Sequence, residues 1–243
     1  TDSSKLPVRA ICDYRLLNKR LKKKYPVIQL PPLRSILDKL IHKKYITAID
    51  LRQSFWHCRL SPQAQLLTGF GFNGQHYIAT RLPHGITFSS QAFQSMLCRL
   101  LRKANLDQHV YPFVDDLIIG SVDPDTHKSV VTRLIKALNK ANLKINFEKS
   151  NFANTKKIHL FGWELDIPNS AIKASPSKIS QILAMSPPRT TRQARHFCGQ
   201  FTHYNQAIPR IAAVLGPIFQ LCSDRTPFHW SSDCQNAFNE ALR

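Results

Sequence analysis

The segment Tyr111-Pro112-Phe113-Val114-Asp115-Asp116-Leu117-Ile118-Ile119 sets two adjacent carboxylates between two short apolar runs. This is the pattern of a β-hairpin with Asp-Asp at its tight turn: the apolar runs bury a face and the acids tolerate the bend. Two like charges side by side near a core are costly unless a cation sits with them. Asp50, closing the apolar run Tyr45-Ile46-Thr47-Ala48-Ile49, is a third acid in a matching setting. Three such carboxylates can hold two Mg2+ ions, with Mn2+ as a substitute, for phosphoryl transfer. An isolated Asp-Asp pair is ordinarily turn chemistry and nothing more.

Charge narrows the choice. Lys and Arg number 34 against 15 acids, a formal net charge of +19 over 243 residues, which points to a polyanionic partner, nucleic acid before an acidic membrane surface. With 43% hydrophobic residues the chain can pack one large domain or two to three smaller ones. No apolar run reaches membrane-spanning length and Thr1 opens no signal segment, so an intracellular, reducing location is expected. Cys12, Cys58, Cys98, Cys198, Cys222 and Cys234 form no Cys-x-x-Cys pair and read as buried thiols. His196 and Cys198 lack two further spaced ligands for zinc.

Periodicity gives alternating strands and helices, an α+β or α/β class. Val8 to Cys12 reads as a strand, Lys19 to Lys24 as a basic loop, and Leu33, Ile36, Leu37, Leu40 and Ile41 as one face of a helix opened by Pro32. Residues 68–72 and 75–80 flank Asn73-Gly74, a hairpin pattern. Leu82-Pro83-His84-Gly85 is a turn before a helix capped by Ser89 or Ser90, with Phe93, Met96, Leu97, Leu100 and Leu101 on its apolar face. Val130, Val131, Leu134, Ile135 and Leu138 mark another helix, and Ile158 to Leu165 another strand. Beyond a boundary near 168–175, helices are expected around 177–185, 191–206 and 209–222.

The order of these motifs resembles the reverse transcriptase of retroviruses and Ty3-like LTR retrotransposons, with spumaretrovirus-like features. Arg9 to Asn18 is similar to the fingers strand, Ile49-Asp50-Leu51-Arg52-Gln53-Ser54-Phe55-Trp56 to the first acidic motif, Arg81 to Gly85 to the nucleotide-side turn, and Phe113-Val114-Asp115-Asp116 to the Tyr/Phe-x-Asp-Asp box. Leu160-Phe161-Gly162-Trp163 resembles the primer grip, and Phe228-His229-Trp230-Ser231 through Ala237-Phe238 the segment leading toward an RNase H domain. The resemblance implies an α+β right-hand polymerase: fingers at 1–46 and 61–87, palm at 47–60 and 88–170, thumb at 171–222, and a connection from 223. It implies RNA- and DNA-templated DNA synthesis on RNA/DNA and DNA/DNA primer-templates, with no membrane, in cytoplasm, virion or virus-like particle, or in the nucleus for a domesticated copy. The chain could act as a dimer or within a larger polyprotein.

Residue by residue, the resemblance implies that Asp50, Asp115, Asp116 and the Leu51 carbonyl hold the two metals and that Lys149 protonates the leaving pyrophosphate. Arg9, Phe55, His84 and Gly85 would bind the dNTP, with Phe55 packing where a ribose 2′-hydroxyl would clash. Phe113, Val114, Phe161, Gly162, Trp163, Gly199, His203 and the basic Lys22, Lys23 and Lys24 would contact primer and template, aided by Arg189, Arg192, Arg195 and Arg210. Three departures stand out: His84 replaces the usual Gln, the chain begins inside the fingers, and it ends before any RNase H acidic cluster. A captured copy that binds nucleic acid or a protein without catalysis is the alternative. An RNA-directed RNA polymerase shares the acids, but Phe55 argues against it.

Overall fold

The computed structural model describes residues 11–21, 31–205 and 207–243. The chain divides into two compact units, Thr1–Ile158 with Ile167–Ser170 and His159–Asp166 with Ala171–Arg243. In the first, helices α1 (Arg15–Leu21) and α2 (Leu33–Leu40) precede strand β1 (Tyr45–Leu51). A 3-10 turn (Ser54–His57) then leads to helix α3 (Pro62–Leu66) and the hairpin of β2 (Phe70–Phe72) and β3 (Gln75–Tyr77). Helix α4 (Ser89–Lys103), strands β4 (Val110–Phe113) and β5 (Asp116–Ser121), helix α5 (Pro124–Lys140) and strand β6 (Ile145–Asn154) follow.

The main sheet has the order β4-β5-β1-β6, with antiparallel neighbours. Strand period two sends Ile49 and Leu51 of β1, with Leu117 and Ile119 of β5, to one face. There they join Phe93, Leu97 and Leu101 of α4 and Val130, Leu134 and Leu138 of α5 in one buried cluster; truncating one of these leucines to Ala costs about 2–5 kcal/mol. Helix α5 begins where Asp123 accepts a hydrogen bond from Thr126 N at 2.7 Å, and Pro124 tolerates the first turn because its missing N–H is not needed there. The other face of β5 receives α2 so closely that a Cβ on Gly120 would lie 2.6 Å from Leu40 Cδ2. Asp50 and Asp116 are register partners across β1 and β5 and share a face.

In the second unit, β7 (Lys157–Leu160), β8 (Trp163–Asp166) and β9 (Ala171–Ala174) form a three-stranded sheet in that order; β7 begins at Lys157, in the first unit. Helices α6 (Pro176–Leu183), α7 (Thr191–Thr202), α8 (Ile211–Val214), α9 (Gly216–Gln220) and α10 (Ser232–Ala241) follow. Ala194, Phe197, Cys198 and Phe201, spaced at i, i+3, i+4 and i+7, give α7 its buried stripe. Phe197 packs on Phe201 and on Phe238 of α10, with ring centroids 5.0 and 4.9 Å apart.

Several expectations need correction. The turn of the acidic hairpin is Val114-Asp115, one residue earlier than Asp-Asp, because Phe113 pairs with Asp116 and Val114 takes φ 55°. Lys19 and Arg20 are helical in α1 and not in a loop. Residues 8–10 of the first expected strand, and Lys22, Lys23, Lys24 and Arg9, lie outside the described residues, while Ile11 and Cys12 are in irregular chain. Phe88 occupies the N-cap of α4, and Ser89 instead donates its hydroxyl to Pro83 O at 2.9 Å. The single strand at 158–165 is two strands around a Phe161-Gly162 turn, both residues at positive φ. The helix at 209–222 is two short helices, and β6 and β9 were not anticipated.

Candidate active site

Antiparallel pairing brings the three acids together. Asp50 lies directly across the ladder from Asp116, with about 4.5–5.5 Å between Cβ atoms typical of such pairs. Leu51 N donates to Asp115 O at 3.1 Å, which carries the β1–β5 pairing into the turn. At the other edge of β1 the register with β6 shifts between Ala48 and Asp50. A side chain repairs the gap: Asp50 N donates to Ser150 Oγ at 3.1 Å, and Ser150 Oγ donates to Asn146 O at 2.7 Å.

The turn itself is held by a buried amide. Gln94 of α4, 5% exposed, accepts from Val114 N at 3.0 Å and donates to Pro112 O at 2.7 Å. These two bonds restrain a β-branched residue in the left-handed region, a conformation costing on the order of 1–3 kcal/mol. Ser54, buried in the 3-10 turn, donates to Asp115 Oδ1 at 2.6 Å and aims that carboxylate. Neither Gln94 nor Ser54 has a local sequence signature, since their partners lie 18 to 61 residues away.

Asp50, Leu51, Asp115, His84, Asn146 and Lys149 line one cleft of about 510 Å³, together with Arg52, Gln53, Ser54 and Trp56. Asp116, partly buried, is not among the residues that line it. Burial first, then the negative charges of Asp50 and Asp115, push its carboxyl up to about 6. The Asn146 side-chain oxygen is buried without a partner. Crowded acids and an orphaned acceptor on one cleft both call for cations. Among the described residues no three His, Cys, Asp or Glu side chains form a ready-made metal cage. Mg2+ does not need one, because it is commonly held by one or two carboxylates and completed by substrate phosphates. The donor set therefore fits the ion.

Other predicted residues fall outside this cleft. Phe55 is half-buried against the core cluster and touches His84, with ring centroids 5.1 Å apart. Gly85 turns at φ 92°, Phe113 ends β4 and Val114 occupies the turn. In the second unit Phe161, Gly162, Trp163 and His203 come together: His203 Nε2 is 3.0 Å from Phe161 O and its ring 5.8 Å from that of Trp163. Tyr204, not anticipated, donates its hydroxyl to Gly162 O at 2.8 Å. A Cβ on Gly199 of α7 would meet nothing within 4 Å. Arg195 is engaged within its own unit, 2.6 Å from Asp224 and 2.7 Å from Cys222 O.

The chain has the α+β right-hand polymerase fold. It matches the foamy viral protease-reverse transcriptase in complex with double-stranded DNA at a TM-score of 0.79 and 23% identity, covering 96% of this chain and 40% of that one. The same protein with an RNA/DNA hybrid matches at 0.77 over 31% of its length. The chain belongs to the reverse transcriptase (RNA-dependent DNA polymerase) family, whose model matches residues 5–165. It is 30% identical over 214 residues to the Retrovirus-related Pol polyprotein from transposon opus of Drosophila melanogaster, 88% of this chain and 21% of that protein. It is 25% identical over 238 residues to the Pro-Pol polyprotein of Simian foamy virus type 1, covering 96% and 20%. The chain thus spans about a fifth of the length of these curated relatives.

Proposed function

We propose that this chain is an RNA- and DNA-templated DNA polymerase, which joins the α-phosphate of a dNTP to a primer 3′-hydroxyl and releases pyrophosphate. The observation that carries it is Asp50 and Asp115 on one cleft, with Asp116 crowded by their charges, in a chain of this family. Asp50, Asp115 and the Leu51 carbonyl would hold two Mg2+ ions, or Mn2+, with Asp116 adding negative charge. When bound, these ions supply a more acidic 3′-hydroxyl and charge neutralisation on the phosphates.

The remaining work falls to this chain's own groups. Ser54 and Gln94 fix where the Asp115 carboxylate points. Lys149, on the cleft wall, would give a proton to the departing pyrophosphate. Phe55, His84 and Gly85 would shape the nucleotide side, with Arg9 donating hydrogen bonds to the triphosphate oxygens. Phe113 and Val114 would meet the primer terminus, and Phe161, Gly162, Trp163, Gly199, His203, Lys22, Lys23 and Lys24 the primer-template. Fingers at 1–46 and 61–87, palm at 47–60 and 88–170, and thumb at 171–222 are the subdomains this function assigns. The duplexes bound by the foamy viral neighbours support RNA/DNA and DNA/DNA substrates, and the net charge of +19 supports phosphate contact. Action inside a cell or a particle, as a dimer or within a polyprotein, goes with this function; no described helix is long and apolar enough to cross a membrane.

Primer extension decides it. The chain is given a labelled primer on an RNA template and, separately, on a DNA template, with dNTPs and Mg2+. Extension on both is the expected result. Tight duplex binding with no extension under Mg2+ or Mn2+ would overturn it in favour of a captured, non-catalytic copy.

A further inference from the structure

Helix α7 has two unlike sides. Arg192, Arg195, His196 and Gly199 are exposed, while Ala194, Phe197, Cys198 and Phe201 form the buried stripe. The chain that leaves α9 is tied back to this helix. Arg195 Nε donates to Cys222 O at 2.7 Å, and its Nη2 lies 2.6 Å from Asp224 Oδ1, which anchors both residues to α7. Cys198 follows Arg195 by about one helical turn, and the thiols of Cys198 and Cys222 lie within hydrogen-bond reach of each other. From the α9 side, Ile218 and Leu221 are buried, and Cys222 Sγ reaches the Ile218 carbonyl at 3.6 Å. The two sulfurs are thus brought together by packing and by an anchor that neither thiol supplies.

The members of the pair differ in access. Cys198 is 2% exposed, whereas Cys222 is partly exposed. Burial first, then the neighbouring Cys222, push the Cys198 thiol up to about 12. Oxidants attack the thiolate of an accessible cysteine, so Cys198 is a poor first target and Cys222 is the sulfur a solute meets. Cys234, the remaining cysteine of this unit, is buried and donates to Pro217 O at 3.6 Å. Cys12, Cys58 and Cys98 belong to the first unit.

We propose that Cys198 and Cys222 are a peroxide-oxidisable thiol pair, whose disulfide staples the end of α9 to the buried side of α7. Hydrogen peroxide oxidises the Cys222 thiol to a sulfenic acid and is itself reduced to water. The Cys198 sulfur then attacks the Cys222 sulfur: the S–S bond forms, the S–O bond breaks, and the hydroxyl departs with the Cys198 proton as a second water. Fixed proximity favours this second step over escape of the sulfenic acid to higher oxidation states. The chain between the two cysteines, with α8 and α9, becomes a closed loop, which lowers the entropy of the unfolded state. The exposed side of α7 is left untouched.

The test treats the reduced full chain with hydrogen peroxide, blocks remaining thiols with N-ethylmaleimide and maps the peptides by mass spectrometry. The parent should lose two of its six alkylatable thiols, with one linked peptide pair joining Cys198 to Cys222. Its thermal midpoint should rise by about 5 °C or more and return on adding dithiothreitol. Cys222→Ser, a small change at a partly exposed position, should form no link and show no oxidative rise. In Cys198→Ala the sulfenic acid has no partner, so dimedone labelling of Cys222 should increase on the order of tenfold over the parent. Six thiols that all remain alkylatable in the treated parent, or a bridge that joins other cysteines, overturns the proposal. Dimedone labelling of Cys198 in Cys222→Ser would overturn the order of attack.

Discussion

Among the described residues three hairpins turn on two residues each, and two of them, the acidic hairpin and the β7–β8 hairpin, solve the same backbone problem in different ways. The acidic hairpin turns at Val114-Asp115 with Val114 at φ 55°; the β7–β8 hairpin turns at Phe161-Gly162 with φ 55° and 84°. The second places glycine at its larger positive angle, where no Cβ can clash, and packs Tyr204 into the space: a Cβ on Gly162 would lie 2.7 Å from Tyr204 Oη. The first keeps a β-branched residue in the same region and restrains it from outside with Gln94. Strain held by a buried amide next to Asp115 is the mark of a turn whose position matters more than its comfort. The β7–β8 turn is restrained from outside as well, with His203 Nε2 3.0 Å from Phe161 O and Tyr204 donating to Gly162 O, but by packed rings in place of a buried amide.

The comparison can be broken at either end. The largest effect is expected at the charge itself: Asp115→Asn should slow nucleotide addition on the order of a thousandfold, about 4 kcal/mol of barrier, while duplex binding measured by anisotropy stays close to that of the parent. Gly162→Ala comes next, because it meets both positive-φ strain and the Tyr204 hydroxyl. A stability loss of about 2–3 kcal/mol in urea unfolding is expected; a neutral substitution would show that the turn has room. Gln94→Leu leaves Val114 N and Pro112 O without their partner, so about 1–3 kcal/mol of stability should be lost. Addition should also slow more than duplex affinity falls, read as kcat against the primer-template KM.

The smallest effect concerns Asp116 and depends on pH. Its folded carboxyl titrates near 6, above the ordinary 3.8, so folding gains from protonation. That stability is fully present below about 3.8 and is lost as pH rises through about 6. Asp116→Asn removes the penalty and should stabilise the apo protein at pH 8 by about 1–2 kcal/mol, a figure held down because the carboxyl is only partly buried and solvent screens it. The gain should shrink as pH falls below 6. Thermal melts of both proteins across pH 4–8 check it, and a pH-independent difference would contradict the crowding of the three acids.

The amphipathic helices were legible from sequence because burial repeats along a single element: Val130, Leu134 and Leu138 announce α5, and Asp123-Pro124 announces its start. Asn73-Gly74 announced a hairpin for the same local reason. Where geometry came from distant partners, sequence gave too little. Val114 at positive φ contradicts its own propensity, so the turn was placed one residue late. Strand β6 hides because its bulged pairing with β1 breaks the two-residue alternation, and Phe161-Gly162 was absorbed into an apolar run. Gln94, Ser54, Asn18 and Tyr204 act through hydrogen bonds to backbone or carboxylate groups 18 to 69 residues away, and no spacing rule reports such bonds. The acids themselves were visible; what holds them in place was not.

The most direct test of the acidic hairpin is the rate of a single dNTP addition as a function of Mg2+ concentration, in the parent chain and in Asp115→Asn, with primer-template saturating in both. The parent should show no addition without divalent cation, a rate that climbs steeply with Mg2+ and then saturates, and a similar response to Mn2+. The Asp115→Asn curve should stay near baseline throughout. Addition by the parent in the presence of a chelator, or an Asp115→Asn curve that overlays that of the parent, would contradict the account.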